Sequence, residues 1–334
     1  MILVTGGTGR YGEQVVRTLR KLGLEARVLV RKGSHYYWLN DTGCAFFFGD
    51  LLDPVSLRRA CRGVEYLVAC SGLQTETRAN NHTTVTVEGH AALFKAAQEK
   101  GVRKVVMLSC LGVDRIEGVT AFDARRAAEE QLLASGMEYT ILRTSLHEQF
   151  FLDLAWAVHD KGRAVLPSEG QNQIQPIASR DLALMAAASL DLDSVKNSIV
   201  EVGGAEVMSA RQAFEAACEV VGVQPNATVL PSPALALGRR LGRPVRRYSH
   251  RLDEVAAWFE NDFTVNSQTV KDHFSFPLTP LREALATSNE VYKIMRDPEE
   301  REKRMVHPQF YATVYEPGEA ELSSMPLGPL PARE

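Results

Sequence analysis

Short apolar runs alternate with longer stretches in which apolar side chains return every three or four positions, from the first residue to about Leu230. The runs at 1–4, 26–30, 45–48, 64–69, 104–108 and 139–143 have the length and continuity of parallel strands buried on both faces. Between them, Val15, Val16, Leu19 and Leu22 mark a helix that stops at Gly23. Asp53-Pro54 reads as a cap and first turn, with a helix to about Arg62 and a stop at Gly63. Further helices are predicted over 85–100, closed by Gly101, and over 121–134, stopping at Gly136. Strand–helix alternation with short punctuation predicts an α/β fold, a Rossmann-type doubly wound parallel sheet with right-handed crossovers.

From Leu146 the rhythm loosens. Phe150, Phe151, Leu154 and Val158 suggest a helix, Gln175-Pro176-Ile177 an extended piece, and Ser179 the cap of the next helix. Residues 199–202 read as a strand, and Ser209 caps a helix ending near Gly222. A last helix is expected from Thr279-Pro280, reaching the charged run 297–304. The organisation expected is a dinucleotide-binding unit with interleaved lobe segments over 1–230. A small, mainly helical, arginine-rich C-terminal lobe follows over 231–306, then an extended or disordered proline-rich tail over 307–334.

Composition narrows the class. With 45% apolar and 24% charged residues, the 334-residue chain can bury a large core. A net charge of -3 gives no global attraction to nucleic acid. Cys44, Cys61, Cys70, Cys110 and Cys218 are scattered, without metal-type spacing, and suit a reducing compartment; no metal site is expected. The first strand begins at Met1 and no run reaches membrane-spanning length, so a cytoplasmic protein is expected.

The densest chemical signal is Thr5-Gly6-Gly7-Thr8-Gly9-Arg10-Tyr11-Gly12, set between a strand and a helix. Such a turn aims backbone N–H groups and the positive end of a helix dipole at one point, which suits a diphosphate. Gly6 would permit the tight turn, Gly9 the approach of phosphate, and Gly12 close packing of helix on sheet; the bland alternative is an ordinary glycine-rich turn.

Together with Arg31, Gly49-Asp50-Leu51, Val87-Glu88-Gly89 and the run from Ser135 to Arg143, this motif resembles the atypical short-chain dehydrogenases, NmrA-like proteins above all. The resemblance covers about 1–230; the arginine-rich part is loosely similar to the branch that helps assemble photosystem II. It implies bound NAD(P)H and a small irregular lobe, in a family of reductases, redox sensors and assembly factors. Arg31, with Lys32, stands where a basic residue accommodates the 2′-phosphate, so NADP is expected over NAD; a solvated Arg–Lys pair is the alternative. By the same resemblance Asp50 and Leu51 fall beside the adenine, though Asp50 is equally suited to cap the following turn. Cys70, Ser71 and Gly72 pass near the ribose and phosphates, and Thr8, Arg10 and Tyr11 belong to the diphosphate loop. Two directions are open to the Arg10 side chain, towards the cofactor as a second cation or out into water.

Short-chain dehydrogenases of the ordinary kind use a serine, a tyrosine and a lysine four residues beyond the tyrosine. Ser109 fills the serine's place, but the other two fall on Ala121 and Arg125, so the usual proton donor is absent. His147 and Glu148 follow the sixth strand, and His147 is a candidate acid near neutral pH or a hydrogen-bonded structural residue. Two functions stay open: an NADP(H)-binding redox sensor, assembly or accessory factor docked on a protein complex, and a reductase of quinone-like acceptors. Between Arg239 and Arg251 lie Arg240, Arg243, Arg246 and Arg247 with no acidic residue. With the tail after His307, this block is expected to attach the protein to a membrane-associated assembly on the cytoplasmic face. Pairing of the arginines with Asp253, Glu254 and Glu260 is the alternative. Gly238, Gly242 and Pro244 interrupt any long recognition helix, so nucleic acid is not expected.

Overall fold

Seven strands lie side by side and parallel: β1 (Ile2–Thr5), β2 (Ala26–Val30), β3 (Ala45–Phe48), β4 (Tyr66–Ala69), β5 (Lys104–Cys110), β6 (Glu138–Thr144) and, later in the chain, Ser198–Val202. The computed structural model describes residues 1–73, 76–77, 79–230, 246–297 and 299. Four short strands form two-stranded pairs beyond the main sheet. They are β7 (Ala164–Leu166) and β8 (Gln173–Ile174), then, after Ser198–Val202 as β9, β10 (Met208–Ser209) and β11 (Ala227–Val229). The main order β3-β2-β1-β4-β5-β6-β9 reverses direction of growth at β1, which opens a crevice between the C-terminal ends of β1 and β4.

Successive strand residues point to opposite faces, so each apolar run feeds two cores at once. Val4, Val28 and Val106 pack under α1 (Arg10–Lys21) and, from later in the chain, the helix Ser179–Ala188. Leu3, Leu67 and Met107 pack under α2 (Pro54–Ala60) and α3 (Gly89–Glu99). A third core joins Phe122 of α4 (Thr120–Ala134), Phe151 of α5 (Glu148–Lys161) and, beyond α6 (Ser179–Ala188), Phe214 of α7 (Ala210–Val221). It also takes in Phe259 of α8 (Arg246–Glu260), while Val270 of α9 (Ser267–His273) enters the first core and Leu285 of α10 (Leu281–Arg296) the third. Of the C-terminal helices, α9 thus shares a core with the sheet, while α8 and α10 pack against α4, α5 and α7.

Two local expectations are corrected. The helix expected over 85–100 is a wide π-type turn at His82–Glu88 followed by α3, because Asn81 and Thr84 cap each other reciprocally and start the turn early. Ser179 is not a cap: its amide and hydroxyl both donate to Glu148, and Ala178 holds the extended cap position. The last helix runs as expected, from just after Pro280 up to the charged run, ending at Arg296.

Candidate functional site

Thr5 ends β1 inside the sheet, and Gly6 turns the chain with φ +71°, where an added Cβ would lie 2.7 Å from the carbonyl carbon of Cys70. Gly9 is the N-cap of α1 and offers no side-chain cap. The amides of Arg10, Tyr11 and Gly12 consequently have no acceptor among the described residues. Three orphan donors and the helix dipole thus converge on one point. A Cβ on Gly9 would meet only the Gly6 carbonyl oxygen, at 3.2 Å, so the space in front of these amides is open. The cradle fits a diphosphate.

At the far end of the crevice Arg31 and Lys32 follow β2, both exposed, and neither forms an ion pair among the described residues. Asp50 accepts a hydrogen bond from the Leu52 amide at 3.0 Å, as a turn cap does, and Leu51 buries its side chain against Gly89. Cys70 donates its amide to Thr5, and burial pushes its thiol up to about 12. Ser71 is buried and Gly72 exposed at the lip. Thr8 is half-buried in the loop.

The end of the crevice where chemistry is expected differs from the sequence reading. Ser109 donates its hydroxyl to Glu129, which is also held by Arg143 at 2.8 Å; Arg143 reaches Asp114 at 2.6 Å. Ser109 is therefore committed to a buried network and is not free to orient a substrate. Ala121 is buried and offers no donor. His147 lies edge-on to Tyr11 at 4.1 Å, with Nδ1 buried and unpartnered while the residue as a whole is partly exposed. Desolvation first, then the Arg10 charge, lowers its pKa to about 3. Of the two readings left open for His147, this environment favours a neutral imidazole over an acid near neutral pH. Glu148 is nearly fully buried and accepts from the Ser179 amide, the Ser179 hydroxyl and Ser288 of α10, and burial raises it to about 7.

Arg10 meets an unforeseen partner in a partly exposed ion pair. Its two Nη atoms donate to Asp153 of α5 at 2.7 and 3.0 Å, Tyr292 of α10 donates to the same carboxylate, and the guanidinium lies 5.0 Å from the Tyr292 ring centre. The diphosphate loop is thereby tied to the C-terminal helix. Asp153 and Tyr292 carry no local motif, and only the tertiary fold brings them to the loop. The arginines between Arg239 and Arg251 and the tail after His307 lie outside the described residues, apart from the backbone of α8 from Arg246. Among the described residues no helix is long and apolar enough to cross a membrane.

Comparison with known proteins agrees with this geometry. A model of the NAD(P)H-binding family matches residues 6–191, more than half of the chain. The chain is 29% identical over 255 residues to the NAD(P)H azoreductase of Xenophilus azovorans, covering 76% of this chain and 79% of that one. It is 26% identical over 239 residues to the photosystem II assembly factor Ycf39 of Cyanophora paradoxa, covering 71% and 74%. The NADPH complex of the Escherichia coli NADPH-dependent quinone oxidoreductase QOR2 superposes with a TM-score of 0.70 at 22% identity, covering 87% of this chain and all of that one, which shows a shared fold. The orphan amides at the start of α1, the crevice at the β1–β4 switch and the matched residues together place this chain in the NAD(P)H-binding family, among the atypical short-chain dehydrogenases.

Proposed function

We propose that this protein is an NADPH-dependent reductase of quinone-like acceptors, in which the protein provides no acid for the product. The observation that carries this reading is the chemistry of the crevice beside β5 and β6. Ala121 replaces the tyrosine, Ser109 is bound to Glu129, and His147 is neutral. Bound NADPH would supply a hydride, and a conjugated acceptor can take it while water supplies the proton. A simple ketone needs a proton at the alkoxide as it forms, and none of these three described residues is placed to deliver one. The azoreductase relative and the Escherichia coli quinone oxidoreductase 2, 27% identical over 206 residues, support a conjugated acceptor.

The diphosphate would rest on the amides of Arg10, Tyr11 and Gly12, and the 2′-phosphate on Arg31 and Lys32. Neither exposed cation has a competing carboxylate among the described residues. Arg31→Ala should weaken NADPH binding by on the order of 1–3 kcal/mol, the loss of one charge-assisted contact, and leave NADH unchanged. Titrating both cofactors against both proteins checks this; an equal loss for the two would refute the 2′-phosphate assignment.

Activity is tested by following NADPH oxidation against a panel of quinones and simple ketones. Quinone turnover without ketone turnover is expected. Ketone reduction near about 10 per second, the enzyme median, would overturn the absence of a proton donor. NADP(H) retained with no turnover of any quinone would favour a second reading, supported by the Ycf39 relatives. In that reading the protein is a redox sensor or assembly factor, docked on a membrane-associated complex through Arg239 to Arg251 and the tail after His307.

A further inference from the structure

Arg125 stands one helical turn beyond Ala121 on α4, and its side chain crosses the C-terminal ends of two central strands. Its Nη1 donates to the carbonyl of Ser71, just past β4, at 3.2 Å and to that of Leu108, in β5, at 3.3 Å. Nη2 lies beside Gly72, where an added Cβ would sit 3.5 Å from it. The residue is half-buried at the mouth of the crevice.

Its neighbours make it stand apart. Arg10 pairs with Asp153, Arg126 with Asp123, and Arg143 with Glu129 and Asp114. Arg125 has no carboxylate partner among the described residues, only the two carbonyls. A guanidinium presents five N–H donors in a plane. Both carbonyl bonds come from Nη1, so among the described residues Nε and Nη2 have no acceptor and keep theirs for a ligand. A partly desolvated cation without a counter-ion is costly unless an anion arrives to meet it.

We infer that Arg125 is the anion-binding group of the acceptor site, holding the oxyanion that forms on the acceptor and favouring acceptors that carry a sulfonate or carboxylate. The inference rests on the reductase reading. A quinone that accepts hydride gains two electrons and one proton and becomes a hydroquinone monoanion, leaving the nicotinamide oxidised; a solvent proton then completes the hydroquinone. The missing protein acid is answered by electrostatic stabilisation of that anion. A fixed cation in a partly dry site is suited to this, because it needs no reorganisation as charge develops.

The test compares the wild type with Arg125→Gln and Arg125→Lys, each saturated with NADP⁺. Calorimetry measures binding of 1,2-naphthoquinone-4-sulfonate and of uncharged 1,2-naphthoquinone. The sulfonate should bind the wild type about tenfold more tightly or better, the equivalent of one charge-assisted hydrogen bond. That preference should vanish in Arg125→Gln and partly return in Arg125→Lys, with NADP⁺ affinity little changed. In turnover, Arg125→Gln should lower kcat for quinones by about 10²-fold, the cost of removing one oxyanion donor. Equal sulfonate preference in the wild type and Arg125→Gln would overturn the inference. So would loss of NADP⁺ binding in both variants, which would make Arg125 a tie between β4 and β5. Failure of the reductase reading looks different: no quinone is turned over, while NADP⁺ still binds.

Discussion

Gly12→Ala should abolish NADP⁺ binding and destabilise the fold by about 3 kcal/mol or more, the upper end of what overpacking costs. The added Cβ would lie 2.1 Å from the Gly6 carbonyl oxygen and 2.6 Å from the Gly7 Cα. Both are backbone atoms of the loop, so no side-chain rotation relieves the overlap. Either the loop opens or α1 shifts off the sheet, and each movement scatters the amides of Arg10, Tyr11 and Gly12. Gly9→Ala separates the two effects. There the Cβ meets one atom at 3.2 Å, so the fold should survive while the methyl group intrudes on the phosphate's path. Thermal unfolding and NADP⁺ titration of the two variants check the contrast. A Gly12→Ala protein that binds NADP⁺ normally would refute the loop's assigned role.

That loop was legible in the sequence because every part of it is local: strand, turn, glycines and helix lie within about twenty residues. The central strands were legible for a related reason, since strands covered on both faces must be apolar throughout. The same rule misleads at β3. Ala45-Phe46-Phe47-Phe48 reads as a buried strand, yet it is the sheet's edge, and Phe48 is 61% exposed. Edge position depends on strand order, which periodicity does not encode.

The chemistry was half legible. Absence of the tyrosine and lysine follows from Ala121 and Arg125 alone. The fates of Ser109, Arg10 and His147 do not, because each is decided by a partner distant in the chain. Glu129 captures Ser109 across 20 positions and Asp153 captures Arg10 across 143. His147 is held unprotonated through burial and the nearby Arg10 charge, both tertiary properties. Ser179 shows the same competition: its sequence suggests a cap, and Glu148, 31 positions earlier, claims both of its donors.

Glu148 also gives the fold a pH dependence that Glu148→Gln should remove. Its folded pKa is about 7 against an ordinary value of 4.5, because burial outweighs the bonds from Ser179 and Ser288. Between those values the folded state holds a proton that the unfolded state has released, so this residue costs stability as pH rises from about 4.5 to about 7. Above that window the whole penalty is present, on the order of 3 kcal/mol, since each pH unit between the two values is worth about 1.4 kcal/mol. Glutamine stays neutral and keeps an oxygen for Ser179, while the Ser288 hydroxyl can turn to accept from its amide. The variant should therefore match the wild type near pH 4.5 and exceed it in stability by pH 8. His147, lowered to about 3, slopes the other way, losing stability as pH falls below its ordinary 6.5. The two residues partly cancel in the wild-type curve, so the informative quantity is the difference between variant and wild type in denaturant unfolding at each pH. A difference that stays flat from pH 4.5 to 8 would show that Glu148 titrates as an ordinary carboxylate.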